Sequence, residues 1–283
     1  MKITALIENI KSDSRSDLET EHGLSLHIEH NNLNILFDTG GSEAFGRNAA
    51  KLGIDLTQVD MAILSHHHYD HGGGLPWFIS ENLQSRVYLG RRPPGALWFK
   101  AFGGLLKKNI GLDSQLFIAN LKRFVFLNTM TEIAPDIFVL TDICKKYPLP
   151  KGNRKLLIEK NGDLEPDNFE HEIVIVLKDK GELVVITGCS HSGILNMVET
   201  VVRNFPDIPI KALVGGFHLA GIPIKSLMPE SRQEIQEIAA QILKYSVNRV
   251  YTGHCTGMKG YNILKNIMGD TLEYINTGAS IVL

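Results

Sequence analysis

The chain has 283 residues, 43% hydrophobic and 21% charged, and a formal net charge of −2. That composition supports a sizeable core, and its near-neutral charge excludes the dominant basic surface of a nucleic-acid binder. No apolar run is long enough to span a bilayer, the opening MKITALIENI lacks the pattern of a secretory leader, and three cysteines build no disulfide framework, so a cytoplasmic location is expected.

In chain order, strands are predicted at Ile3–Glu8, Leu24–His30 and Leu33–Phe37, with Asn31-Asn32 turning the second into the third. Asp38-Thr39-Gly40-Gly41 ends the third strand, Ser42 offers an N-cap, and Ala44 to Lys51 is predicted helical with Gly53 closing it. Met61–Leu64 is a short apolar strand that runs into His66-His67-His68-Tyr69-Asp70-His71, and Gly72-Gly73-Gly74 then leads to a helix near Leu75–Leu83. From about 86 to 167 the chain reads as an insertion of loops and short elements within one domain, 1–283. Strands Glu172–Leu177 and Leu183–Thr187 follow as a hairpin about Asp179-Lys180-Gly181. Helix Ile194–Asn204, strand Lys211–Gly215, helix Gln233–Tyr245, strand Arg249–Thr252, helix Tyr261–Met268 and a last strand ending at Leu283 complete the chain. The pattern fits two sheets covered by helices.

His66, His68, Asp70 and His71 have the spacing H-x-H-x-D-H, between a buried strand and a glycine-rich helix start. On an extended segment residues 66 and 68 face the same side, so one metal takes both. Asp70 and His71, at the next turn, reach a second. Imidazole and carboxylate donors suit Zn²⁺ or Mn²⁺, with Fe²⁺ as a further option. The glycines at 72–74 let the backbone pack close behind the ligands. His67 alternates away and is expected to pack, or to support the ligands from behind. The bland alternative is a solvated histidine-rich loop; the apolar flanks and the intervening Asp70 speak against it.

The H-x-H-x-D-H run, with Phe37-Asp38-Thr39-Gly40 before it and Thr252-Gly253-His254 after it, resembles the metallo-β-lactamase superfamily over most of the chain. The resemblance implies an α/β fold, the four-layer αββα sandwich, with two divalent metal ions at the sheet edge and Asp38 orienting the ligand loop. The runs Ile186–Gly193, Gly215–Leu219 and Thr252–Gly257 resemble one subgroup, the metal-dependent hydrolases akin to dihydropterin–ribofuranosylaminobenzene-phosphate synthases. The resemblance places His191 with His66 and His68 on the first metal, and His254 with Asp70 and His71 on the second. Most superfamily members carry a bridging Asp where this chain has Cys189, which either binds metal as a thiolate or packs beside the site. His171 is a further ligand candidate, ranked below His191. His218 reads as a substrate-facing or proton-transferring residue, against the alternative of a buried, hydrogen-bonded histidine. His22, His27 and His30 carry no argument.

A two-metal site implies a metal-bound hydroxide as nucleophile, held by Asp70, and hence a binuclear metal-dependent hydrolase acting on a phosphate-bearing small molecule. Lys145, Lys146 and Arg154, together with Lys151, Lys155, Arg91 and Arg92, are candidate phosphate-binding cations, or else a solvated charged loop. Trp77, Trp98, Phe99 and Phe102 either stack a flat ring such as a pterin or fill the core. The alternatives are a transferase joining a dihydropterin methyl diphosphate to an arylamine, a nuclease of the same fold, and a non-catalytic metal-dependent sensor. Neither nucleic acid nor membrane is expected as a partner.

Overall fold

Four segments of alternating or wholly apolar sequence, Lys2–Ile7, Ser25–His30, Leu33–Phe37 and Met61–Leu64, form adjacent strands in the computed structural model, which describes residues 1–12, 14–221 and 228–283. Contacts group the chain into two compact units. One comprises Met1–Arg92, Gly111–Leu127 and Ile275–Leu283; the other comprises Pro93–Ile110 and Asn128–Tyr274.

The first unit holds a seven-stranded sheet in the spatial order Ser280–Val282, Lys2–Ile7, Ser25–His30, Leu33–Phe37, Met61–Leu64, Arg86–Leu89, Phe124–Phe126. The pairs up to Leu33–Phe37 are antiparallel and the rest are parallel. Asn31 and Asn32 both take the left-handed conformation (φ 49° and 61°) that a two-residue hairpin turn demands. The parallel register pairs Phe37 with Ile63 and so sets the C-terminal ends of two strands side by side, Asp38 on one and Ser65-His66 on the other. Helices Ala44–Lys51, Leu75–Glu81 and Ser114–Ala119 send Phe45, Phe78 and Phe117 into the cluster that holds Leu36, Leu64 and Val87. Each such buried side chain contributes about 1.5–3 kcal/mol over its exposed state.

The second unit holds a seven-stranded sheet in the order Leu272–Tyr274, Val247–Thr252, Ile210–Gly215, Glu182–Thr187, Val174–Asp179, Ile137–Leu140, Thr131–Ala134. Val174–Asp179 and Glu182–Thr187 are joined through Lys180 (φ 53°) and Gly181 (φ 84°), another left-handed pair. From Glu182–Thr187 to Leu272–Tyr274 the pairings are parallel. Four adjacent strands therefore end on the same side, and open α/β sheets place their sites beyond such ends. Helices Ile194–Asn204, Arg232–Lys244 and Gly257–Met268 bury Val198, Ile235 and Leu264 in one cluster with Val185 and Leu213. Ser231 and Glu234 close a reciprocal capping box at the start of the second helix.

The stretch 86–167 consists of short elements and the loops between them. It supplies Arg86–Leu89 and Phe124–Phe126 to the first sheet and Thr131–Ala134 and Ile137–Leu140 to the second. The remainder forms a four-stranded antiparallel sheet in the order Asp163–Pro166, Leu156–Lys160, Leu97–Ala101, Leu106–Asn109. These strands are three to five residues long, too short for a period of two to declare itself.

Candidate metal centre

In the first unit the 66–71 run is buried throughout except Tyr69: His66, His67, His68, Asp70 and His71 are all less than one-tenth exposed. His66 Nε2 lies 3.0 Å from His68 Nδ1, with ring centroids 4.5 Å apart, and the His71 ring is 4.3 Å from that of His66. Asp38 fixes this arrangement. Its Oδ2 is 2.6 Å from His71 Nδ1, and its two carboxylate oxygens accept from the Ser65 amide and hydroxyl, each at 2.7 Å. Ser65 Oγ is in turn 2.9 Å from His66 Nδ1. Nδ1 of both His66 and His71 is thus engaged by the Asp38–Ser65 pair, which fixes how each ring is turned. His71 Nε2 stands 3.9 Å from Asp70 Oδ2. His67 points away, as alternation requires, and packs against Phe117 and Phe126. A side chain at Gly73 would strike the Gly41 carbonyl at 2.4 Å, so glycine there permits the close approach.

In the second unit the candidates sit on the loops after three of the four parallel strands. Cys189, His191, His218 and His254 are all buried. His191 is held from both ends: Asn153 Nδ2 donates to its carbonyl (2.7 Å), and Asn153 Oδ1 is 3.1 Å from its Nδ1. Phe169 stacks on the His191 ring at 4.4 Å. Glu172 accepts the His191 and Ser192 amides at 2.7 and 2.6 Å; burial raises its carboxyl above the ordinary range against the pull of those amides. His171 turns to Asp167, Nε2 to Oδ2 at 3.0 Å. The His218 ring lies 4.2 Å from that of His191, and both its nitrogens are buried without a hydrogen-bond partner. That counters the reading of His218 as a satisfied core histidine. Burial alone would raise the Cys255 thiol, but its neighbours Cys189, His218 and His254 hold it well below its usual value.

The donor sets fit divalent metals: buried imidazoles with one nitrogen already engaged, carboxylates and thiols, and in His218 a ring whose two nitrogens accept or donate no hydrogen bond among the described residues. Asp38, Ser190, His218 and His254, all non-glycine, have φ between 50° and 61°, a conformation that clusters where surrounding structure holds a functional residue in place.

Sequence reasoning passed over several of these residues. His22 Nε2 is 3.3 Å from Asp70 Oδ2. Asn153 left no signal in the sequence, whereas Glu172, an acid entering the apolar run Ile173–Leu177, was a legible oddity. The cationic strip is partly committed elsewhere: Lys146 pairs with Glu199 at 2.9 Å and Lys151 with Glu234 at 2.6 Å, while Lys145 and Arg154 are exposed. Among the aromatics, Phe99 is buried, Trp77 meets Phe45 edge-on, and Trp98 donates to Glu159. Phe102 is exposed.

A sequence model of the metallo-β-lactamase superfamily matches residues 20–82. Tm1679, a metal-dependent hydrolase of the β-lactamase superfamily known from a crystal structure, is 31% identical, with a TM-score of 0.81 over 100% of this chain and 99% of that one. This chain belongs to the metallo-β-lactamase superfamily. It has the superfamily's α/β fold, and the 66–71 run lies inside the matched segment. The 7,8-dihydropterin-6-methyl-4-(β-D-ribofuranosyl)-aminobenzene-5'-phosphate synthase of Methanocaldococcus jannaschii is 29% identical over 98% of this chain and 95% of its own length. Zn²⁺-bound PqqB of Methylobacterium extorquens, 11% identical with a TM-score of 0.59, shares the superfamily fold. Among the described residues no helix is long and apolar enough to cross a membrane.

Proposed function

We propose that this protein is a binuclear metal-dependent hydrolase acting on a phosphate-bearing small molecule. The observation that carries this reading is the buried 66–71 run, whose His66 and His71 rings are fixed through Nδ1 by Ser65 and Asp38. Within the first unit, His66 and His68 would hold one metal and Asp70 and His71 another; His191 and His254 of the second unit are further candidate ligands. When bound, the metals supply Lewis acidity toward a phosphoryl oxygen and a water of lowered pKa. The side chains do the rest. Asp70 orients the attacking water and receives its proton, with His22 3.3 Å away to share the charge. His218 delivers a proton to the departing group. Lys145 and Arg154, exposed, steer the phosphate, while Lys146 stays paired with Glu199.

A second reading is favoured by the near-full-length likeness to the synthase. In it the same residues hold the diphosphate leaving group of a dihydropterin methyl diphosphate, and an arylamine replaces water at the methyl carbon. The two readings separate in one experiment: phosphorus NMR of that diphosphate with metal-loaded protein, with and without the amine. Phosphate or diphosphate released regardless of amine supports the hydrolase; release only with amine, with a coupled pterin product, supports the transferase. Release in neither tube, and none from a panel of phosphomonoesters and phosphodiesters, overturns the phosphate assignment.

A further inference from the structure

The short turn Lys151–Lys155 reaches His191 from a distant part of the sequence, and a series of short bonds within the second unit holds it there. The Lys151 amide donates to Glu230 Oε1 at 2.6 Å, and Lys151 Nζ donates to Glu234. Gly152 then lies against the His218 ring, where a Cβ would stand 2.8 Å from Nε2, so glycine permits the approach. Asn153 follows, buried, its own amide donating to the Pro150 carbonyl at 3.1 Å. We propose that Asn153 is a positioning residue that sets the tautomer of His191, holding the proton on Nδ1 and the lone pair on Nε2. The tautomer itself follows from this geometry; its use in binding an ion rests on counting His191 among the candidate ligands, as above.

Two contacts made by one amide group decide the matter. The Asn153 side chain has the His191 carbonyl 2.7 Å from one end of its amide and His191 Nδ1 3.1 Å from the other. A backbone carbonyl can only accept, so the NH2 end must face it, and Oδ1 is thereby turned toward the ring. Oδ1 also only accepts, so Nδ1 must carry a proton. The two alternatives are both repulsive. Turning the amide over sets oxygen against oxygen at 2.7 Å; moving the proton to Nε2 sets Oδ1 against the Nδ1 lone pair at 3.1 Å. Either leaves buried polar groups unsatisfied, which costs more than the bond itself is worth. The ring has little freedom to turn away. Phe169 stacks on it with centroids 4.4 Å apart and planes 7° from parallel, and Glu172 accepts its backbone amide at 2.7 Å. In a neutral imidazole the nitrogen opposite the proton is the one that bonds an ion or accepts a proton, so Asn153 selects Nε2 for that task.

The test uses the full chain, isotope-labelled in its histidine ring nitrogens and treated with a chelator, and reads by nitrogen NMR which nitrogen of His191 carries the proton. The His191 signal is the one that His191→Gln removes. Wild type is expected to show the proton on Nδ1. Asn153→Ala is expected to release it into exchange between the two nitrogens, and to weaken Zn²⁺ binding by roughly 10–100-fold in competition with a chelator. Asn153→Asp, which keeps an oxygen toward Nδ1, is expected to restore the Nδ1 proton. A wild-type ring protonated on Nε2, or an Asn153→Ala ring still protonated on Nδ1, overturns the proposal; a purely structural Asn153 would lower stability without moving the proton. A proton that follows Asn153 while Zn²⁺ affinity stays unchanged upholds the tautomer assignment and strikes His191 from the candidate ligands. Should Asn153→Ala fail to fold, wild type and Asn153→Asp decide, with Nε2 protonation in either contradicting the assignment.

Discussion

At the scale of single residues, the side chains behind the ligands are as telling as the ligands. Asp38 accepts from Ser65 twice and meets His71 Nδ1 at 2.6 Å, so it sets the tautomer and the aim of His71. Asp38→Ala is expected to lower metal affinity by roughly 10–100-fold while leaving the fold intact, measured by competition with a chelator. Unchanged affinity would mean that His71 is no ligand. Glu172 offers a contrasting case. It accepts two buried amides, and Glu172→Ala leaves both without partners, for an expected loss of about 2–5 kcal/mol by urea unfolding. The alternation of His66 and His68 against His67 was legible in the sequence, because a period of two is set by covalent geometry alone. The left-handed φ of Asp38, Ser190, His218 and His254 was not, because only tertiary contacts impose it on residues with a Cβ.

At the scale of elements, helix Ile194–Asn204 matches its predicted span because its apolar face repeats cleanly over three turns. That helix also carries an electrostatic hub. The Tyr245 hydroxyl and Lys146 both donate to Glu199, Arg203 adds a third contact, and the carboxyl is held at about 2 against an ordinary 4.5. A depressed carboxyl stabilises the fold fully above its ordinary pKa and stops doing so as pH falls through its folded value. Part of the chain's thermal stability is therefore expected to vanish between pH 4.5 and about 2, and Glu199→Gln should flatten that part of the profile in a pH series of thermal melts. An unaltered slope would show that the hub carries no stability. Lys146, offered by sequence alone as a phosphate ligand, is instead part of this hub, since a lysine's partner depends on long-range packing.

At the scale of the whole molecule, the sequence disclosed the order of strands and helices but not their grouping. Stretch 86–167 read as an insertion of loops and short elements; that its short strands extend both large sheets was not legible, because pairing partners far apart in sequence decide where a four-residue strand belongs. The parallel neighbours Glu182–Thr187, Ile210–Gly215 and Val247–Thr252 explain why His191, His218 and His254, scattered over more than sixty positions, belong to loops on one end of one sheet. Elemental analysis of the purified full chain tests the central claim most directly, paired with turnover of a phosphate-bearing substrate before and after chelation. The account predicts at least two equivalents of transition metal, fewer in His66→Ala and in His254→Ala, with turnover lost on chelation and restored by Zn²⁺ or Mn²⁺. A wild-type chain that binds no transition metal, or one whose turnover survives its removal, would contradict it.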